Sequence, residues 1–534
     1  MTFYYHILLP YLPDLFTYSS PQQIPLGSLV EVSFRRKKAY GLVFEKTDQK
    51  PDYKTIEIKG IIHEEVLEKW QIELILWITQ YYFAPLHKVA RLFVPSAIWK
   101  NKSKIKREEF LELNYDLETG LEKTKRAKKQ QELFQLIAKN KKSDLSAIRQ
   151  QFSSVIIKTL LEKKLIKKTY GQLIRGYSSP KNKQKLEEKK LTPEQEKACQ
   201  EILKGKQRSF LLHGITSSGK TEIYSRIISK TLQDKKTVLM LVPEIALTTQ
   251  LILYLQKFSS QIAVIHSQLT ESEKSQEWYR IYHGQARIVV GSRSALFAPL
   301  KNLGLIILDE EHEWTYKQEQ NPRYHARAVA QKMLEFQKEA KLILGSATPD
   351  VETYFQAKKD QIKLLELKER VFKTPLPKVD IVDLRDEFRK KNYSIFSDLL
   401  QEKLKESLEN KEQAMLFINK RGVASCVVCR ECGHTEKCDH CDISLTYHHT
   451  PTKDFLLCHH CGLIKKPPII CPKCKSANIR YLGIGTQRVE SELKKMFPQA
   501  KVFRADRDTV TKRKDFEEIF LKFKDHQADF LVGT

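Results

Sequence analysis

The residues best equipped for chemistry lie in one short string, Gly214-Ile215-Thr216-Ser217-Ser218-Gly219-Lys220-Thr221. Glycines let backbone N–H groups turn inward around phosphate oxygens, and a helix opening near Lys220 would add its positive N-terminal end. Residues 214–219 would therefore cradle ATP, with Lys220 on the β- and γ-phosphates and the Thr221 hydroxyl on Mg2+. A second string, Leu305-Ile306-Ile307-Leu308-Asp309-Glu310-Glu311-His312, ends an apolar run on carboxylates. There Asp309 would hold Mg2+, directly or through water, and Glu310 would orient and deprotonate the attacking water. His312 would couple this hydrolytic site to the next strand, where the hydroxyls of Gly345-Ser346-Ala347-Thr348 would bond the carboxylates and report nucleotide state. The alternatives, a plain glycine turn and an acidic loop, fit less well because each string follows an apolar, strand-like run.

Sulfur is the other concentrated chemistry. Of 10 cysteines only Cys199 lies outside residues 426–474. The cluster contains Cys429-x-x-Cys432, Cys438-x-x-Cys441, Cys458-x-x-Cys461 and Cys471-x-x-Cys474. Each pair can present two thiolates to one tetrahedral ion, so eight thiolates make two closed, structural Zn2+ sites. Spacing alone leaves the pairing open. Cys426 would compete as a ligand but leave an odd thiol, and His440, His459 and His460 are substitutes more suited to the surface. No basic stretch precedes an apolar one at the N-terminus, so metal ligation is expected rather than disulfides, in the cytoplasm.

These groups need scaffolding, and the chain supplies it in blocks. Residues 1–105 read as a small β-rich domain, with strands over Phe3–Leu9, Ser28–Phe34 and Ala39–Phe44 and a basic turn at Arg35–Lys38. Leu67, Trp70, Leu74, Ile78 and Tyr81 recur at helical spacing, which makes Trp70 and Trp77 core residues. Residues 106–177 show helical patterns at Gln130–Ala138, Asp144–Phe152 (N-capped by Ser143) and Val155–Lys163, then a strand-like tail; this fits a winged helix or a plain helical spacer. Residues 178–190 form a lysine-rich linker. Beyond it, Val238–Val242, Ile262–Ile265, Arg287–Val290, Leu305–Leu308 and Lys341–Leu344 are wholly apolar strands alternating with helices, the mark of a buried parallel sheet. An α/β unit over 191–365 would thus carry the phosphate loop. A second, over 366–425 and 479–534, is interrupted by the cysteine-bearing insertion 426–478. With 92 basic against 65 acidic residues the net charge is +27, which favours a nucleic-acid partner. No apolar run reaches the length of a membrane span, so no membrane partner is expected.

The chain resembles the PriA family of bacterial replication-restart helicases, helicase superfamily 2, over Phe16 to Thr534. The resemblance is carried by Leu191-Thr192-Pro193-Glu194-Gln195, Leu241-Val242-Pro243-Glu244-Ile245-Ala246-Leu247-Thr248, Gly291-Ser292-Arg293-Ser294-Ala295-Leu296-Phe297, Asp309–His312, Tyr316-Lys317-Gln318, Arg323-Tyr324-His325-Ala326-Arg327 and Gly345–Pro349. It implies two RecA-like parallel-sheet lobes, the second bearing the zinc insertion, preceded by a DNA 3′-end-binding domain and a winged helix. It implies that Gln195 reads adenine, that Arg293 grips DNA backbone, and that Trp314 through Arg327 is an aromatic-rich loop coupling single-strand binding to ATP hydrolysis. Within that loop Trp314, Tyr316, Lys317 and Arg323 interleave aromatic and cationic groups suited to bases and phosphates; ordinary packing of Trp314 and Tyr316 is the alternative. It implies nested zinc pairing, with Cys429, Cys432, Cys471 and Cys474 on one ion and Cys438, Cys441, Cys458 and Cys461 on the other. Phe16, Thr17, Tyr18 and Lys59 would capture the 3′ end of a nascent strand, Phe16 and Tyr18 by stacking. Thr17 replaces the family's usual aspartate, which removes a charge-assisted contact. Ser217 replaces a usual glycine, tolerable if its φ stays negative. Phe530–Thr534 resembles the start of motif V, so the arginine-bearing motif VI would lie beyond a chain that reads as a fragment. The implied activity is ATP-dependent 3′-to-5′ unwinding of abandoned replication forks, with forked and single-stranded DNA, single-stranded-DNA-binding protein and other primosome proteins as partners. A fork-binding scaffold without motor activity and an RNA-directed helicase are the competing readings.

Overall fold

The computed structural model describes residues 2–101, 107–114, 127–140, 143–144, 148–149, 151–163, 165–172, 190–243, 258, 261–267, 269–372, 375, 377–418, 425–449, 454–482, 485–506, 509 and 513–533. Residues 178–189 of the expected linker and Glu244–Thr248 fall outside them. The chain divides into two compact units, Met1–Thr374 and Pro375–Thr534.

In the first unit, strands β1 (Phe3–Leu8), β2 (Leu15–Ser20), β3 (Leu29–Phe34), β4 (Lys37–Thr47), β5 (Ile56–Glu57) and β6 (Gly60–His63) form one sheet in the order β5-β2-β1-β4-β3-β6. The sequence reading missed β2, whose pattern prolines at its flanks obscured. The basic turn is a two-residue hairpin in which Arg35 and Arg36 both have positive φ, 47° and 61°, the conformation that matches strand twist. Helices Lys69–Tyr81, Leu86–Phe93 and Ser96–Trp99 follow. They do not belong to the β-domain alone, because Trp70, Leu74, Ile78, Phe93 and Trp99 share one apolar core with Trp278, Phe297 and Leu308 of the α/β unit. Trp278 Nε1 donates to the Phe93 carbonyl at 3.0 Å, and the Phe93 and Phe297 rings lie 4.8 Å apart.

Next come β7 (Arg107–Leu113), a helix at Lys128–Asn140, β8 (Ser143–Asp144), a helix at Ser154–Glu162 and β9 (Ile166–Gln172), with the sheet order β8-β7-β9. Leu111, Leu133, Phe134, Ile137, Ile157, Leu160 and Ile166 form a separate core. Two helices packed on a three-stranded sheet around a core of their own fit the winged-helix expectation better than a plain spacer. The expected helix start at Ser143 is corrected. Ser143 and Asp144 pair with Leu111 and Phe110, so sheet pairing overrides the local helical pattern.

The α/β layer holds β10 (Ser209–Gly214), β11 (Thr237–Leu241), β12 (Ile262–Ile265), β13 (Ile288–Gly291), β14 (Leu303–Asp309), β15 (Lys341–Ser346) and β16 (Lys363–Leu367). Every pairing is parallel, in the order β12-β13-β11-β14-β15-β10-β16. Leu303–Leu308 is buried throughout, each leucine or isoleucine contributing roughly 1.5–3 kcal/mol of apolar burial. The boundary expected after residue 365 falls inside β16, which hydrogen-bonds to β10 along Phe210–Gly214.

In the second unit, β17 (Ala414–Phe417) begins a sheet that the insertion interrupts. The insertion is a five-stranded antiparallel sheet of β18 (Ser425–Cys429), β19 (Thr446–His449), β20 (Asp454–Leu457), β21 (Ile464–Lys465) and β22 (Ile479–Leu482). Strands β23 (Val502–Ala505) and β24 (Phe530–Gly533) then complete a parallel sheet in the order β17-β24-β23. Phe530 and Val532 are fully buried beneath Leu493 and Phe497. Among the described residues no helix is long and apolar enough to cross a membrane.

Candidate active site

The phosphate loop joins β10 to the helix Lys220–Gln233. Its glycines answer close approaches: a Cβ on Gly214 would meet the Ser218 hydroxyl, and Gly219, at φ +82°, would meet the Gln195 amide. Ser217 does not keep a negative φ; it sits at +67°, and the expectation of easy tolerance is corrected. The loop geometry demands that conformation, and its carbonyl accepts the Val371 N–H at 3.1 Å. The Ser218 hydroxyl is buried with no hydrogen-bond partner among the described residues. Lys220 Nζ donates to the Gly214 carbonyl at 2.8 Å and lies 3.9 Å from Glu310 Oε1. An unpartnered buried hydroxyl beside a lysine folded back onto the loop's own carbonyl is a cradle suited to phosphate oxygens. Gln195 is 3% exposed; its carbonyl takes the Thr192 N–H at 2.9 Å and its amide donates to the Ser218 carbonyl at 2.8 Å. It braces the loop, so both ends of the expected adenine reader are engaged by the chain.

Asp309 ends β14 opposite Gly345 of β15. Tyr224, one helical turn beyond Lys220, donates its hydroxyl to Asp309 Oδ1 at 3.0 Å, and the Tyr316 hydroxyl donates to the Asp309 carbonyl at 2.7 Å. A Cβ on Gly345 would overlap the Tyr224 hydroxyl, so that glycine makes room for the contact. Burial, then the neighbouring Glu310 carboxylate, pushes the Asp309 pKa up to about 6. A cation beside a carboxylate so placed would relieve both effects, which fits Mg2+. Glu310 has φ +48°, a strained backbone setting for a residue with a side chain. His312 Nδ1 lies 2.7 Å from Ser346 Oγ and 3.6 Å from Glu310 Oε2, and the Thr348 N–H donates to Ser346 Oγ at 2.9 Å. His312 therefore joins the carboxylates to the Gly-Ser-Ala-Thr segment.

Sequence reasoning missed Tyr224 and Glu311. Tyr224's position one turn after Lys220 was the available signal. Glu311 is 1% exposed; it accepts Arg327 Nη1 at 2.9 Å, the Thr353 hydroxyl at 3.0 Å and the Asp350 N–H at 2.8 Å. Arg327 thus ties the far end of the 314–327 loop to the residue beside Glu310. Near its start, Arg293 Nη1 donates to the Thr315 carbonyl at 2.6 Å and to that of Lys317 at 3.3 Å, supporting the loop's backbone. Trp314 is 64% exposed, whereas Tyr316 is buried; packing, not base stacking, describes Tyr316. Lys317 Nζ donates to the Arg323 carbonyl at 2.7 Å, and the Arg323 side chain is exposed.

The residues expected to hold a DNA 3′ end do not converge on one face. Alternation along β2 puts Phe16 and Tyr18 on the side of the β-domain core and Thr17 on the other. Tyr18 is 3% exposed and donates to the Ser33 carbonyl at 3.1 Å, so its ring is packed rather than open to a base. Phe16 is partly exposed and meets Phe34 edge-on at 5.0 Å. Thr17 lies opposite His6, 3.3 Å from its Nδ1, and Lys59 is exposed.

The eight cysteines gather as Cys429, Cys432, Cys471 and Cys474, and as Cys438, Cys441, Cys458 and Cys461, the sulfurs of each group lying within 4.8 Å of one another. The pairs Cys429–Cys474, Cys432–Cys471 and Cys438–Cys461 are separated by 3.5, 3.6 and 3.5 Å, close to the ~3.8 Å of thiolates around a tetrahedral Zn2+. Each pair sits on the same knuckle: the N–H four residues on returns to the first cysteine's carbonyl, from Gly433, Asp442, Gly462 and Lys475. All four of those residues have positive φ. Of Cys426, the backbone pairs with Thr446 and Leu482. His460 Nδ1 lies 3.2 Å from Cys441 Sγ, and His459 contacts His448 instead.

Comparisons with known proteins accord with this geometry. Residues 192–356 match the DEAD/DEAH box helicase family, and residues 6–95 match the PriA 3′DNA-binding domain. Curated relatives called replication restart protein PriA include one from Bacillus subtilis, 47% identical over 72% of this chain and 48% of its own length. Another, from Synechocystis, is 42% identical over 72% of this chain and 47% of its own length. One from Chlamydia pneumoniae is 36% identical over 96% of this chain and 70% of its own length. The match thus spans about half the length of the first two relatives.

Proposed function

This chain belongs to the replication restart protein PriA family, and on that premise we propose that it acts in the cytoplasm as an ATP-dependent 3′-to-5′ DNA helicase. It would recognise stalled or abandoned replication forks and initiate primosome assembly, working on forked and single-stranded DNA with single-stranded-DNA-binding protein and other primosome proteins. The observation that carries the reading is the reach of the 314–327 loop. It presents Trp314 to solvent, rests Tyr316 on the Asp309 carbonyl and anchors Arg327 on Glu311.

The loop of residues 214–219 with Lys220, Thr221 and Asp309 would hold ATP and Mg2+. Such an ion would supply neutralisation of charge on the β- and γ-phosphate oxygens. Glu310 Oε1, kept near Lys220, takes the proton of the attacking water. Tyr224 holds Asp309 Oδ1, and the same carboxylate would hold the ion. Arg327 and Thr353 hold Glu311, which fixes the turn on which Glu310 is mounted.

The test is ATP hydrolysis stimulated by forked DNA with a free 3′ end, compared with duplex RNA. Wild type should respond to the fork, and Lys220→Ala should be roughly 10²–10³-fold slower, the scale of removing one charge-stabilising donor. Equal, slow hydrolysis by both proteins would leave a DNA-binding scaffold, and a stronger response to RNA would redirect the substrate.

A further inference from the structure

The corner after helix Lys69–Tyr81 bears an unusual residue. The Ala84 N–H returns to the Thr79 carbonyl at 3.0 Å and the Phe83 N–H to that of Gln80 at 3.4 Å, the paired bonds of a Schellman cap. Its left-handed position belongs to glycine by preference. Phe83 occupies it, at φ +49°, with its side chain outside the core and 93% of the residue exposed. A bulky residue in that region is strained, and its own packing offsets nothing. Tyr81, 59% exposed, stacks on Trp77 with centroids 4.8 Å apart.

Two lysines lie beside the neighbouring rings of Trp77 and Tyr82. Lys332 Nζ lies 5.7 Å from the Trp77 ring centre and Lys317 Nζ 5.4 Å from that of Tyr82. The Tyr82 hydroxyl accepts the His325 N–H at 3.1 Å, which joins the corner to the loop carrying exposed Trp314 and Arg323. Aromatic faces interleaved with lysines and the exposed Arg323 suit bases and phosphates.

We propose that Phe83, with Tyr81, is a base-stacking platform for single-stranded nucleic acid that continues the surface of the 314–327 loop. It rests on the DNA-motor reading and adds a contact outside the helicase lobe's own sequence.

The test uses the full chain and a fluorescent oligo-dT whose 3′ end is blocked by phosphate, read by anisotropy alongside thermal melting. Phe83→Ala should bind about 5- to 150-fold more weakly, the effect of losing one stacked base. Phe83→Gly should bind as weakly yet melt higher, because it releases the strained φ, and Phe83→Trp should retain affinity. Wild-type affinity in both the alanine and glycine variants would overturn the platform and leave Phe83 as a protein-docking knob. Failure of the wild type itself to bind would sink the DNA-motor reading and this inference with it.

Discussion

Residue conformations at the phosphate loop and its carboxylate neighbour are where chemistry and strain coincide. Ser217 and Glu310 both hold positive φ, and Tyr224 is buried with its hydroxyl on Asp309. For Ser217 the strain has no side-chain compensation among the described residues. Ser217→Gly is therefore expected to raise unfolding free energy by about 0.5–1 kcal/mol, the left-handed penalty less glycine's entropic cost. Denaturant melts of the two proteins measure this, and a loss of stability would show that the serine contributes a contact of its own. That Lys220, Asp309 and Glu310 would gather was legible in sequence, because each lies in a short string at the end of an apolar run. Tyr224 and Glu311 were not, because tyrosine and glutamate acquire these roles only from the groups they meet in space.

Among elements, the cysteine-bearing insertion shows how a short motif repeats. Each Cys-x-x-Cys turn closes with a left-handed residue, glycine at 433 and 462 but Asp442 and Lys475 at the other two. The insertion's own apolar core is small, built around Val427, Leu445 and Leu456, so the ions would carry much of its stability. Purified protein should contain close to two zinc ions, and Cys438→Ser should lose one while the Cys429 site keeps its own. Elemental analysis reads this directly. Retention of both ions by Cys438→Ser would reject the nested assignment. Metal analysis after chelation, with Asp442→Gly beside wild type, reads the backbone's share: the glycine should slow metal loss by relaxing the turn.

At the scale of the whole molecule, the first unit does not split where composition changes. The helices 69–99 bury Trp70, Phe93 and Trp99 in the same core as Trp278 and Phe297, so the helices and the α/β layer should unfold together. Phe93→Ala is expected to cost about 3–5 kcal/mol and to lower the denaturation midpoint of the nucleotide-binding layer along with that of the helices. Separate transitions, with ATP protection unchanged, would count against a shared core. The same continuity brings Tyr82 to the 314–327 loop.

The sequence by itself determined the parallel α/β layer, the phosphate loop, the acidic strand end and the cysteine-rich insertion. Their signals are local: apolar runs, glycine spacing and ligand pairs confined to a few turns of chain. Tertiary structure decided what depends on distant groups. It turned Gln195 toward the loop, buried Tyr18 and Tyr316, and paired Ser143–Asp144 as strand. It also set Glu311 under Arg327 and joined the N-terminal helices to the α/β core. In each case a buried hydrogen bond or shared apolar surface outweighed local preference, and such partners are fixed only when remote segments meet.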